Sequence, residues 1–319
     1  MSPPTILLAG ATGNTGRSTT ETLSKLLQTP GSPLRNYRIL ALTRSADSPV
    51  ARSLAALPGV EVIEQNWVEI TSDWLQTNNV VRAFIAPHTK PSHFAEESNF
   101  QLALLHAGVK YVVRISTAAA TVRPDATAYY GRAHWALEAM LSTPEFKALQ
   151  WTSLQPNAFG SFWFATAAYF IKEYRKTGNA DAVLKLMAPK EGAVPVIDPA
   201  DIGIVAAHFL AQEDTAPHSG KRYVLNGPEE ITGEQIVKMV ERAIGAPVKN
   251  VQYRDLSGLT AFLESQFMGN GNSRNVVMSV RRAAETAWGN APSAPTSKEV
   301  LGLAAPKRTP QQMLESLLE

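Results

Sequence analysis

Short apolar runs recur through the first half of the chain, at 5–9, 37–43, 60–65, 80–86, 111–116 and 151–155, and predict six β-strands. The stretches between them alternate apolar and polar positions at helical spacing, which predicts helices at 16–27, 50–57, 94–107 and 130–141. Gly108 ends the third of these, because glycine accepts the left-handed geometry of a helix terminus. Strand and helix in regular alternation are the signature of a parallel sheet covered by helices on both faces. The segment Thr29-Pro-Gly-Ser-Pro-Leu-Arg-Asn reads as a surface loop.

Beyond Pro156 the periodicity loosens into an aromatic segment, an apolar run at 193–196, a helix at 198–211, a strand at 223–225 and a terminal helix at 310–318. Gly269-Asn-Gly-Asn-Ser and Gly289-Asn-Ala-Pro-Ser-Ala-Pro predict flexible loops. Residues 1–156 therefore form the main domain, and 157–319 a smaller lobe with segments that return to it. No internal repeat is visible.

The first strand runs into Gly10-Ala11-Thr12-Gly13-Asn14-Thr15-Gly16-Arg17, with glycines at 10, 13 and 16 just before a helix. In that context Gly10 serves a tight turn, Gly13 admits a pyrophosphate close to the backbone, and Gly16 lets helix and strand pack. The helix N-terminus supplies free N–H donors to the phosphates. The fold class is thus α/β, a Rossmann-type doubly wound parallel sheet with a smaller C-terminal α/β lobe. The second strand ends Leu42-Thr43-Arg44-Ser45, where a carboxylate would select the free ribose hydroxyl of NAD. Arg44 instead suits a 2′-phosphate, which makes NADP(H) the expected cofactor.

Composition narrows the partners. The 319 residues are 45% hydrophobic and 18% charged, enough for a large core, and 30 basic against 28 acidic residues leave a net charge of +2 with no block of either sign. A nucleic-acid surface is not expected. With no cysteine, disulfides, thiolate catalysis and cysteine-ligated zinc are excluded. The first residues lack a basic leader, and the apolar stretch 158–171 is shorter than the roughly 20 residues a bilayer needs. These features fit a soluble protein of the cytoplasm that does not enter membranes.

The Gly10 to Arg17 turn, Thr43-Arg44, Ser153-Leu-Gln-Pro-Asn-Ala-Phe159 and Val196-Ile-Asp-Pro-Ala-Asp-Ile-Gly203 together resemble the NmrA-like family of atypical short-chain dehydrogenases, which is related to the isoflavone-reductase-like proteins. The resemblance covers most of the chain. It implies that the tips of the third and fourth strands, Asn66-Trp67 and Ala86-Pro87-His88, pass over the adenine and the nicotinamide-side ribose. It also implies that Pro156, Asn157 and Phe159 frame the nicotinamide. Gln155 stands where many relatives carry arginine.

Ordinary members of the wider superfamily use a tyrosine proton donor with a lysine four residues on. The matching stretch here places Tyr130 and His134 on one helical face, so that pair, with Ser116 and Thr117 polarising a carbonyl, is the candidate catalytic group. Tyr130 could equally be packing, with His134 bonding the ribose without chemistry. Phe159, Phe162 and Trp163 are candidates for an apolar substrate pocket. His88, His93 and His106 are dispersed and lack acidic partners at ligand spacing, so no metal site is expected.

Two classes of function follow. One is an NADPH-dependent reductase of a small apolar or aromatic metabolite, as in secondary metabolism. The other is a non-catalytic NADP(H) sensor that works through a protein partner, as the regulatory branch of the family does. An isomerase or dehydratase on the same fold is a lesser alternative, and the substrate and oligomeric state stay open.

Overall fold

The computed structural model describes residues 3–179, 181–267, 271–288 and 294–319. Strands β1 (Thr5–Ala9), β2 (Arg38–Thr43), β3 (Val60–Glu64), β4 (Val80–Ile85), β5 (Tyr111–Ile115) and β6 (Gln150–Pro156) fall where the apolar runs predict them, with ends moved by a residue or two. Short strands follow: β7 (Ala158–Phe159), β8 (Val183–Lys185), β9 (Val194–Ile197), β10 (Lys221–Leu225), β11 (Glu230–Ile231) and β12 (Asn250–Gln252). The main helices of the first half are α1 (Gly16–Gln28), α2 (Pro49–Ala55), α3 (Ser72–Thr77), α4 (His93–Ala107) and α5 (Tyr129–Leu141). The second half adds α6 (Gly160–Trp163), α7 (Ala165–Thr177), α8 (Pro199–Leu210), α9 (Gly233–Ile244) and α10 (Ser257–Phe267). The last helices are α11 (Arg274–Met278), α12 (Arg281–Thr286), α13 (Lys298–Ala304) and α14 (Pro310–Ser316). Of the two expected glycine-rich loops, 269–270 and 289–293 lie outside the described residues.

Seven strands form one sheet in the order β10-β6-β5-β4-β1-β2-β3, and every pairing in it is parallel. Strand alternation sends Ile6 and Leu8 to one face and Leu7 and Ala9 to the other, each into its own core. The first face is covered by α1 and α8, whose Leu23, Leu27, Val205 and Phe209 are fully or almost fully buried there. A parallel sheet buried on both sides needs such near-continuous apolar strands. The chain winds outward from β1 in both directions, so β1 and β4 flank the point where strand order reverses. In such sheets the carboxyl edge at that point is where a crevice opens.

The later segments divide between two bodies. Strand β10 returns to the main sheet beside β6, and α8 packs against α1. A third core joins α6, α7 and α9 with β8 and β9 around Phe164, Ile171, Leu184, Ile236 and Val240. No helix among the described residues is long and apolar enough to cross a membrane.

Candidate active site

At the carboxyl end of β1, Gly10 holds φ +87°, and a Cβ built there would meet the Ala86 carbonyl at 3.0 Å. Gly16 is tighter still: its Cβ would lie 1.9 Å from the Gly10 carbonyl oxygen, so any side chain forces the helix off the strand. The turn closes on a bond from Gly13 N–H to Gly10 O at 3.0 Å. Helix α1 begins with no side-chain cap at Thr15 and no acid in its first turn. Arg17 N–H donates to Gly13 O at 3.1 Å, and the uncapped helix start still presents the positive end of its dipole at the turn, which favours a diphosphate there. Arg44 is exposed at the tip of β2, the neighbouring strand.

A cavity of about 870 Å³ begins beside Asn14 of this turn. From there it passes Ser116, Thr117, Tyr130 and His134, then Pro156, Asn157 and Phe159, and ends among Phe162, Trp163 and α10. Ten of the expected site residues therefore share one space: Asn14, Ser116, Thr117, Tyr130, His134, Pro156, Asn157, Phe159, Phe162 and Trp163. The structure places Arg44, Asn66, Trp67, Ala86, Pro87 and His88 outside its walls, near the carboxyl ends of β2, β3 and β4. Trp67 and His88 lie together with ring centroids 5.5 Å apart.

The polar groups behind the cavity form a buried network that the sequence reading lacked. Arg114, fully buried at the end of β5, donates to Glu97 from Nε at 2.7 Å and from Nη2 at 3.0 Å. The same Nη2 reaches His134 Nδ1 at 2.9 Å. His93 bonds Glu97 through Nε2 at 2.6 Å. On the other side, Arg114 Nη1 donates to Ser153 at 3.1 Å, and Ser153 donates to Glu138 at 2.6 Å. Glu138 also accepts from Ser116 at 2.8 Å, from Gln155 Nε2 at 3.1 Å and from Arg222 Nε at 2.7 Å. Gln155 thus contributes only an amide, and the cations beside Glu138 are Arg222 from β10 and, at 3.5 Å, Arg114.

Three expectations change. The first concerns metals: His93 has an acidic partner in Glu97 four residues on, and His88 bonds Glu96, so these two histidines, unlike His106, are neither dispersed nor without acids. His93, Glu97 and His134 even offer ligand atoms within 4.8 Å of one another. The guanidinium of Arg114, however, already takes both Glu97 oxygens and His134 Nδ1, and a divalent ion there would sit against that charge.

The second concerns His134 as an acid. A guanidinium only donates, so Nδ1 must accept and the imidazole is held neutral with its proton on Nε2. Burial, followed by the nearby His93 and Arg114, pushes its pKa well below the usual value, and Glu97 opposes this only in part. Tyr130 is also a weakened acid, because burial raises its pKa against the opposing bond to Thr117. The third concerns Ser116, whose hydroxyl proton is committed to Glu138 and does not polarise a carbonyl in the cavity.

Burial alone would raise the Glu97 carboxyl, but the charge of Arg114 and the bonds from His93 and Arg114 hold it below the usual range. Glu97 is therefore an anion that neutralises Arg114. Arg114, Glu97 and Glu138 were legible only weakly: an arginine inside the apolar run Tyr111-Val-Val-Arg-Ile, and carboxylates on the helices that face it. Leu259, Phe262, Leu263 and Phe267 of α10, which line the far end, stand at helical spacing that the sequence reading did not use.

The NmrA-like family model matches residues 3–268. An NAD(P)H azoreductase from Xenophilus azovorans is 27% identical over 246 residues, which are 77% of this chain and 76% of that protein. Among solved structures, an NADPH-dependent quinone oxidoreductase from Escherichia coli, complexed with NADPH, is similar with a TM-score of 0.70 at 22% identity, covering 98% of this chain and 100% of that one. NmrA, a negative transcriptional regulator in complex with NADP, is similar with a TM-score of 0.65 at 14% identity, covering 100% and 95%.

Proposed function

The chain belongs to the NmrA-like family, and from that premise we propose that it is an NADPH-dependent reductase of a small apolar, conjugated molecule. One observation carries the reading: a single cavity of about 870 Å³ runs from the phosphate-binding turn at Asn14 to an apolar compartment at Phe162 and Trp163. A dinucleotide lying along it would leave room at its far end for a second molecule. The named activities of the azoreductase and the quinone oxidoreductase, both reductions of conjugated acceptors, agree with this choice.

When bound, NADPH supplies the hydride. The Gly10–Gly16 turn and the start of α1 would hold its phosphates, and Arg44 its 2′-phosphate. Asn157 is fixed for the nicotinamide side by its bond to Asn226 at 2.7 Å. Tyr130 and His134 serve as neutral hydrogen-bonding groups for ribose and substrate, and a proton, where the acceptor requires one, comes from water.

Calorimetric titration with NADPH and NADH tests the cofactor assignment. The wild type is expected to prefer NADPH by at least about tenfold, and Arg44→Ala to lose most of that preference, since a charge-assisted phosphate contact contributes about 1.5–3 kcal/mol. Equal affinities in the wild type would remove Arg44 from its role.

A further inference from the structure

The cavity wall at the end of β5 has a fixed hydrogen-bond polarity, an inference that rests on the reductase reading and deepens it. Arg114 sets that polarity. A guanidinium only donates, so Ser153 accepts from Nη1 at 3.1 Å and must send its own proton onward, to Glu138 Oε1 at 2.6 Å. Glu138 meets donors alone: Arg222 Nε at 2.7 Å and Gln155 Nε2 at 3.1 Å on Oε2, with Arg114 Nη1 3.5 Å from Oε1. A carboxylate between two guanidinium groups has no proton to give. In the 2.8 Å bond between Ser116 and the same Oε1, Ser116 is therefore the donor.

What Ser116 keeps for the cavity is its lone pairs. Its hydroxyl lines the cavity side of β5 and accepts from no described residue. Its backbone N–H is already spent on Leu154 O at 2.7 Å. The wall beyond is Ala118, Ala119 and Ala120, and Thr121 turns its hydroxyl to Ala118 O at 2.8 Å. One acceptor thus stands beside a row of methyl groups. A molecule that covers it without an O–H or N–H strands a lone pair, whereas one with such a group gains a bond that the carboxylate behind Ser116 strengthens.

We propose that Ser116 is a specificity-determining acceptor, which favours a substrate carrying an O–H or N–H group at that point over one that offers only a carbonyl oxygen there. This is the reverse of a serine that polarises a carbonyl by donation.

Indole and benzofuran are near-isosteres that differ in one N–H, and calorimetric titration of the full chain with each, alone and at saturating NADP, tests the assignment. The wild type is expected to bind indole about threefold to tenfold more tightly in both conditions, the range of one net hydrogen bond. In Ser116→Ala the gap should close, chiefly through loss of indole affinity. That variant takes one donor of several from Glu138, so the network behind the wall persists. Equal affinities in the wild type, or a gap that survives Ser116→Ala, would overturn the proposal. So would a gap that vanishes once NADP is bound, because the donor meeting Ser116 would then be the carboxamide of the cofactor. The titrations need no turnover, and the cofactor-free pair reads the gap even where NADP fails to bind, an outcome that would count against the reductase reading instead.

Discussion

Arg114 donates to His134 Nδ1, and because a guanidinium offers only donors, the bond lasts only while that nitrogen keeps its lone pair. His134 is faced by Arg114, His93 and Glu97 from β5 and α4, with Tyr130 one turn back on its own helix. Its folded pKa lies below the unfolded value, so between the two the unfolded chain binds more protons. The stability this gives is complete above the ordinary histidine value near 6.5 and is lost as pH falls below it. The melting temperature should therefore drop from neutral pH toward pH ~5, and more steeply in the wild type than in His134→Gln. His88, His208 and His218 shift the same way and supply the remaining slope. Identical slopes would assign the acid sensitivity to those three. The positions of Tyr130 and His134 on one face were legible from their spacing, but their protonation was not. It depends on Arg114 and Glu97, which are 20 and 37 residues from His134 in sequence and meet it only once β5 and α4 pack beside α5.

At the scale of elements, the β1 turn and α1 were legible because each glycine answers to a separate local constraint. Gly16 faces backbone at 1.9 Å, whereas the Cβ of a residue at Gly13 would meet only the Gly10 oxygen at 3.2 Å, a contact that small shifts relieve. The two positions should therefore fail differently. Gly16→Ala should destabilise the fold by about 1–3 kcal/mol, the usual range for forced overpacking. Gly13→Val should remain folded yet lose the rise in melting temperature that NADPH produces, because its branched side chain fills the approach to the pyrophosphate. Thermal melts with and without NADPH separate the cases, and a normal NADPH shift in folded Gly13→Val would place the phosphates elsewhere. Helix α10 was less legible. Leu259, Phe262 and Leu263 have helical spacing, but no continuous amphipathic run marks the segment, and its apolar side faces a cavity as well as a core.

The molecule as a whole is a sheet with a core on each face and a second body with its own core, both lining one cleft. The sheet and its helices place the phosphate turn at the point where strand order reverses, and the second body supplies Trp163 from its core and the exposed Phe162 to the cavity wall. Alternating strands and helices made the first body readable from residue 5 to 156. The second depends on short strands that pair far along the chain, such as β7 with β9 and β8 with β12, and pairing of that range leaves little local pattern. The joint cleft supports catalysis only if hydride leaves NADPH within it. Rapid anaerobic mixing of the NADPH-loaded protein with an uncharged naphthoquinone and, separately, with N-methylacridinium measures this through the absorbance of the reduced nicotinamide. The account predicts decay at least about tenfold faster than the uncatalysed reaction with one or both acceptors, a threshold of about 1.4 kcal/mol in barrier, and its loss in Gly13→Val. Saturating NADPH binding with decay no faster than the uncatalysed rate for both acceptors would contradict it.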